Sequence, residues 1–346
     1  MKPAVLEDID KKLLNALQWA FPLGPRPYAA LAAKLKTTEE AVIDRIRALK
    51  GGNGQPPVIR QISAIFDTRK LGYATSLVAI KVPGEKAEEA AAVLNGHPGV
   101  SHNYLRSHDL NIWYTVAVPP TSRIGLERTI EILARECGAE KSRMLPTLRL
   151  YKISVKLDMS GELGGKKDEA DLPDWPPRPR SLTELEIGAV RELQADLGAE
   201  PEPFAGMAER LGVTVESLID QARRFQEDGT MRRYAAVLHH RSAGFVANCM
   251  GVWNVPPDRM EDCARVIMAF PEVSHCYERP VYDDWPYPLY SMIHARSRAD
   301  IEDVMRRIAE KTGISDHAML WSLKEYKKVR VPYFTPEMEA WERAHL

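Results

Sequence analysis

Residues 100–108 read Val100-Ser101-His102-Asn103-Tyr104-Leu105-Arg106-Ser107-His108, and the chain runs on into Asn111-Ile112-Trp113-Tyr114-Thr115. In an extended chain residues two apart share a face, so His102, Tyr104, Arg106 and His108 line up. Two imidazoles, a phenol and a guanidinium in one row do not make a plain core strand. The row returns as Val273-Ser274-His275-Cys276-Tyr277-Glu278-Arg279, which aligns His275, Tyr277 and Arg279. A polar row written twice implies a duplicated binding face.

Outward from these rows the whole chain repeats. Leu31-Ala32-Ala33-Lys34-Leu35 returns as Met207-Ala208-Glu209-Arg210-Leu211, Val82-Pro83 as Val255-Pro256, and Leu148-Arg149-Leu150-Tyr151-Lys152 as Leu323-Lys324-Glu325-Tyr326-Lys327. Order and offset persist through both halves, so the chain is a tandem duplication. Apolar residues at helical spacing predict helices over 10–19, 28–35 and 39–49, the third capped by Thr37 or Thr38. This is a helix-turn-helix arrangement. Past Pro56-Pro57 the pattern becomes β-rich over 58–66 and 74–82. A helix over 85–94, a hairpin over 100–108 and 110–118, a helix over 123–137 and a last strand over 144–155 follow.

The expected fold is α+β, a helix-turn-helix (winged-helix-like) module followed by a ferredoxin-like βαββαβ domain, the pair occurring twice. The implied segments are 1–55 and 56–158, a Gly-, Pro- and charge-rich linker over 159–180, then 181–229 and 230–331, and a tail over 332–346. Each sheet leaves one face without helices, so the two halves are expected to pair as a pseudo-dimer, with a homo-oligomer left open.

With 45% hydrophobic and 27% charged residues the composition is that of a globular chain. A net charge of −1 advertises no nucleic-acid partner. Four cysteines without CxxC spacing suggest neither disulfides nor a zinc site. No apolar run approaches a membrane span and the first residues do not read as a signal peptide, so a cytoplasmic location is expected.

Helix-turn-helix followed by βαββαβ resembles the Lrp/AsnC family of transcriptional regulators, whose sheet domain pairs subunits and binds amino acids. Charge opposes DNA binding. Residues 181–230 hold four arginines, no lysine and eleven acidic residues, whereas affinity for a duplex rests on neutralising phosphates. The alternative reading is therefore a regulator sensing heme or an amino acid; the favoured one is an enzyme without specific DNA binding.

Within the rows, arginine offers a fork for carboxylates and histidine titrates near neutrality, as a general acid must. His102, His108 and His275 are the candidate acids. The segment Arg279-Pro280-Val281-Tyr282-Asp283-Asp284-Trp285-Pro286-Tyr287-Pro288-Leu289-Tyr290 is dense in aromatics and prolines, a stiff wall for a flat apolar ligand or an ordinary core corner. Tyr290, Met292 and His294 share a strand face. No phosphate loop, nucleophilic triad or metal-ligand spacing appears.

The motif His102-Asn103-Tyr104-x-Arg106-x-His108-x-x-Asn111-x-Trp113-Tyr114 resembles the D/H-type subunit of the siroheme decarboxylases. Ser274-His275-Cys276-Tyr277-x-Arg279-Pro280, Asp284-Trp285-Pro286-Tyr287, Leu289-Tyr290 and Met292-Ile293-His294 resemble the L/G-type subunit. Together they are similar to the fused NirDL type of denitrifying bacteria, related to the two-subunit AhbA/AhbB enzymes. One departure is Pro288, where the family pattern has Asn. The resemblance implies loss of the C12 and C18 acetate carboxylates of siroheme as CO2, giving 12,18-didecarboxysiroheme for heme d1. It further implies a substrate-binding set of Tyr104, Arg106, Asn111, Trp113, Tyr277, Arg279, Trp285, Tyr287, Tyr290 and His294, with Arg149 and Lys324 as weaker members. No cofactor is needed, because the iron travels with the substrate. Which of His102, His108 and His275 faces that iron stays open.

Overall fold

The computed structural model describes residues 6–54, 56–153, 181–238 and 247–346; the expected linker over 159–180 lies outside them. In chain order the first half contains α1 (Asp8–Trp19), α2 (Pro27–Leu35), α3 (Glu39–Leu49), β1 (Ile59–Phe66), β2 (Ala74–Lys81), α4 (Ala87–Gly96), β3 (Val100–Arg106), β4 (Ile112–Val118), α5 (Leu126–Glu136), β5 (Lys141–Leu145) and β6 (Arg149–Ile153). The second half contains α6 (Glu184–Leu193), α7 (Ala205–Leu211), α8 (Val215–Glu227), β7 (Met231–Leu238), β8 (Ala247–Trp253), α9 (Met260–Met268), β9 (Val273–Glu278), β10 (Leu289–Ala295), α10 (Arg298–Thr312), β11 (His317–Lys328) and a closing helix α11 (Pro336–His345).

Two compact units result, divided in each half near residues 72 and 243. The first unit gathers both helical modules. Helix α3 begins at Glu39 because Thr38 Oγ1 accepts the Ala41 N–H at 3.2 Å, and Thr214 does the same for Ser217 on α8. Their inner faces are apolar: Val42, Ile43 and Ile46 on α3, Leu218, Ile219 and Phe225 on α8. Strand β1 was expected to open the ferredoxin-like domain. Instead it pairs antiparallel with β7 in a separate two-stranded sheet within this unit. Each strand finds its backbone partners in the other repeat.

Several cations of these modules are already engaged. Arg45 binds Asp10 and Glu7, Arg47 binds Asp44, and Arg26 binds Glu39. In the second module Arg210 meets Glu192 and Arg223 meets Asp220. Phosphate contact would require exchanging these carboxylates for DNA, and in the second module doing so within a locally acidic field. No salt-sensitive, sub-micromolar retardation of a duplex is expected at physiological ionic strength; a gel-shift titration across a salt series checks it.

The second unit holds the two ferredoxin-like repeats. Their strand order, β5-β2-β4-β3 and β11-β8-β10-β9, is the same in each, and the two join into one nine-stranded sheet by exchanging ends. Strand β6 leaves the first repeat and pairs with the β9 edge, from Arg149 opposite Glu278 to Ile153 opposite His275. Strand β11 pairs first with β8 and then, from Ser322 onward, with the β3 edge. The exchange covers both open edges, which would otherwise expose unpaired backbone groups. Helices α4 and α5 cover one face of the first repeat through Val78, Ile80, Val100, Ile112 and Tyr114. Helices α9 and α10 do the same in the second through Trp253, Ile267, Leu289 and Ile293. The helix-free faces share a third core, in which Trp113 and Leu145 meet Met250, Val252, Trp285, Tyr290 and Leu320.

The segment expected to be a tail, 332–346, contains α11, which docks on the first repeat. Trp341 meets the His97 ring at 4.3 Å between centroids, and Met338 is buried beside Gly99, where a Cβ would fall 2.1 Å from the Ala117 carbonyl oxygen. His97 is fully buried; its Nδ1 accepts the Gly99 N–H at 3.0 Å and its Nε2 has no partner among the described residues. Burial, helped by the charges of Lys327 and His345, lowers its pKa from 6.5 to about 3. Between those values the unfolded chain binds a proton that the folded chain refuses, so stability falls as pH drops below 6.5. By pH 5 the loss from this one group is about 2 kcal/mol. Melting temperatures at pH 7.5 and 5.0 for the native chain and His97→Gln check it: the variant should show the smaller drop.

Candidate active site

The histidine rows lie on the helix-free faces of the second unit. On β3 the ring of His102 stacks on Tyr104 at 6.3 Å and the Arg106 guanidinium lies 5.3 Å over Tyr104. On β9 His275 stacks on Tyr277 at 5.9 Å, and Arg279 lies 5.0 Å over Tyr277 and 5.3 Å over Tyr290. Alternation along each strand puts these three side chains on one side, and the neighbours on the other. Asn103, for example, points back to α4 and donates to Ala91 O at 3.3 Å.

A bulge disturbs the alternation at the head of each row. The β3–β4 register slips between Val100 and His102, and the β9–β10 register slips opposite Val273 and His275. A bulge turns adjacent side chains toward one another. Accordingly Ser101 Oγ lies 3.0 Å from His102 Nδ1, and Ser274 Oγ lies 2.7 Å from His275 Nδ1. His294 joins the second group, its Nε2 2.9 Å from Ser274 Oγ. In the first group Thr115 Oγ1 takes that place, 2.7 Å from Ser101 Oγ.

The two rows feel each other. Burial brings the His275 pKa down to about 4, with the nearby His294, His102 and Lys152 adding to it. His102 is lowered by burial and Lys328 against a weaker pull from Glu325, and His294 by burial and Lys328. All three imidazoles are thus held neutral at neutral pH.

Both arginines are sunk in protein, Arg106 with 5% and Arg279 with 9% of its surface exposed. Arg106 Nη1 donates to Leu320 O at 2.9 Å and to Ser322 Oγ at 3.2 Å, while Arg279 Nη1 donates to Leu145 O. Leu320 and Leu145 are repeat equivalents, so each guanidinium grips the last strand of a ferredoxin repeat. Neither meets a carboxylate among the described residues, and the Nε of each is buried without a partner. Burial lowers the Arg106 pKa to about 10, which still leaves it charged. A buried cation without a counter-charge is costly unless an anion arrives to meet it. Beside Ser322 a cavity of about 280 Å3 is lined by Asn248, Arg296, Arg298 and Trp321 among others.

Other expected site residues are placed differently. Strand β3 ends at Arg106, where the His108 N–H folds back to Arg106 O at 3.0 Å. His108 therefore leaves the row: it sits exposed on the turn, its ring edge-to-face with Trp285 at 5.1 Å between centroids and its Nδ1 accepting from Leu110 N. Asn111 bonds both backbone groups of Val82 and serves the sheet. Arg149 and Lys324 point to the helical side, where they pair with Glu261 on α9 and Glu88 on α4. Helix residues with opposite charge stand over those strand positions, so neither side chain reaches the histidine face. Trp113 and Trp285 are core, 1% and 0% exposed, with rings 5.3 Å apart. Trp285 donates to the Tyr290 hydroxyl, and half-buried Tyr287 packs at 5.1 Å against Trp285. At Pro288 only the backbone carbonyl is used, accepting from Arg279 N at 2.8 Å. Ser101, Thr115 and Ser274 escaped the reading of the rows, although the repeated Val-Ser-His triplet was there to be seen.

The described residues contain no group of three or more His, Cys, Asp or Glu set to hold a metal, and no helix long and apolar enough to cross a membrane. The AsnC-like ligand binding domain matches residues 70–152 and 242–327, and the siroheme decarboxylase NirDL-like HTH domain matches residues 10–53 and 188–232. A siroheme decarboxylase of Hydrogenobacter thermophilus is 38% identical over 330 residues, covering 95% of this chain and 96% of that protein. The siroheme decarboxylase beta subunit of Methanosarcina barkeri is 39% identical over 150 residues, 43% of this chain and 99% of that one. Among solved structures, the siroheme decarboxylase NirDL in complex with an iron-uroporphyrin III analogue superposes with a TM-score of 0.77 at 32% identity, covering 97% of this chain and 98% of that one.

Proposed function

Since the chain belongs to the siroheme decarboxylases of the fused NirDL type, we propose that it removes the C12 and C18 acetate carboxylates of siroheme as CO2. The product is 12,18-didecarboxysiroheme. The observation that carries this reading is the pair of buried guanidiniums, each without a carboxylate partner among the described residues, at the end of a row that begins with a neutral histidine. Siroheme brings what such rows lack: several carboxylates around a flat ring. Its iron enters as part of the substrate, so the protein supplies binding and proton transfer.

In each step the bond between an acetate methylene and its carboxylate breaks, CO2 leaves, and the electron pair stays on the methylene carbon. That carbon takes one proton and becomes a methyl group. His102 and His275 are the groups placed to give it, since each has its Nδ1 turned to a serine and no bond from Nε2 among the described residues. Arg106 and Arg279 hold carboxylates that are not lost, and an arginine remains charged and does not serve as the acid.

Anaerobic incubation with siroheme, followed by mass analysis of the tetrapyrrole and measurement of released CO2, tests the reading. Two CO2 per siroheme are expected. Binding of siroheme without any CO2 would sink it and favour a sensor.

A further inference from the structure

Resting on the decarboxylase reading, we propose that Ser274 is a positioning residue that links His275 to His294 in a proton relay, making the two repeated rows chemically unequal. The strand registers show the inequality. Thr115 stands opposite His102 in β4 just as Met292 stands opposite His275 in β10, and Val116 and Ile293 match one place further on. Hence Ala117 occupies the position of His294. The first row ends in two hydroxyls, Ser101 and Thr115; the second ends in a second imidazole.

A serine hydroxyl has one proton to give and lone pairs to accept with. The Ser274 hydroxyl lies 2.7 Å from His275 Nδ1, 2.9 Å from His294 Nε2 and 3.3 Å from Met292 O; in the relay it donates to the nearest of these, His275 Nδ1, and accepts from His294. That arrangement keeps the His275 proton on Nε2, the nitrogen left free for the substrate. When the methylene carbon takes this proton, the Ser274 proton moves to Nδ1, the Nε2 proton of neutral His294 moves to Ser274, and His294 Nδ1 takes a proton from solvent. One proton thus enters for each CO2 that leaves. Thr115 offers no second ring nitrogen through which a solvent proton enters as one leaves, so the first row ends without an imidazole to feed a relay. The charged and titratable groups around the relay are His102 and Lys152 near His275, and Lys328 near His294.

The test compares Ser274→Ala, Ser274→Thr, His294→Ala and Ser101→Ala in the full chain. In Ser274→Ala and His294→Ala, kcat for CO2 loss should fall about 10- to 100-fold with KM little changed, the size of a partial loss of general-acid function. Mono-decarboxylated product should accumulate. Ser274→Thr keeps the hydroxyl and should recover most of the rate, and Ser101→Ala should slow the reaction less than Ser274→Ala does, because it breaks no relay. Equal slowing by Ser101→Ala and Ser274→Ala, unchanged kcat in Ser274→Ala, or no recovery in Ser274→Thr would overturn the relay. A second readout needs no turnover: 15N spectra of the imidazoles should show His275 as the Nε2–H tautomer, and that preference should weaken in Ser274→Ala. If the tautomer does not respond, the relay is wrong even where the decarboxylase reading holds. If the tautomer responds but the native chain releases no CO2, the decarboxylase reading and the catalytic use of the relay fall together.

Discussion

Replacing His275 by alanine is expected to lower the rate of CO2 loss about 10²- to 10⁴-fold, the range for removing a general acid, while siroheme still binds. His275 is half-buried, its pKa brought to about 4 by burial and by nearby His294, His102 and Lys152, and it stacks on Tyr277. Removing its ring takes away the proton donor but leaves Arg279 gripping Leu145 O. Siroheme binding followed by its absorption spectrum, with CO2 release measured separately, divides the two effects. His102→Ala should be slowed as well, by a smaller factor if the second row supplies both protons in turn. His108→Ala should stay within about threefold of the native rate, as expected of an exposed turn residue away from the chemistry. A His108 variant as inactive as the His275 variant would mean that the turn, and not the row, carries the acid.

Arg106→Met is expected to weaken siroheme binding about 10- to 100-fold, the loss of a charge-assisted hydrogen bond worth roughly 1.5–3 kcal/mol. The stability of the unliganded protein should change far less. Two contributions oppose each other there. Lost bonds to Leu320 O and Ser322 Oγ cost about 1–3 kcal/mol, but a buried cation lacking a carboxylate partner is removed and methionine fills much of its volume. Net stability should therefore stay within about 1 kcal/mol of native by denaturant titration. Arg106→Lys keeps a charge but loses the planar fork and should recover binding only in part. A variant that unfolds readily yet binds siroheme normally when folded would make Arg106 a strand clamp and nothing more.

The contrast between Arg106 and Arg149 shows where reading along the chain ends. Parity along a strand is a local property, set by backbone pleating, so His102, Tyr104 and Arg106 fall on one face whatever surrounds them. The same holds for the caps that start α3 and α8 and for the duplication, all of which are written in residues near one another. Arg149 also lies on a strand with a clear alternation, but which face meets the helices depends on the edge that the strand joins. That edge is β9, more than a hundred residues away, and it turns Arg149 toward Glu261.

Sequence alone determined the two repeats, the helices and most of the strands, and the histidine, tyrosine and arginine that open each row; the single strand expected over 144–155 is divided into β5 and β6. Tertiary structure decided the rest: β1 paired with β7, the exchanged ends of β6 and β11, the docking of α11, and the turn that takes His108 out of line. It also decided that Ser274 touches two histidines, since His294 comes from the neighbouring strand. The physical reason is common to all of these. An unpaired strand edge or a buried hydroxyl specifies only that a partner must be found. Which partner it finds depends on chain that arrives from far away in sequence, after the local elements have formed.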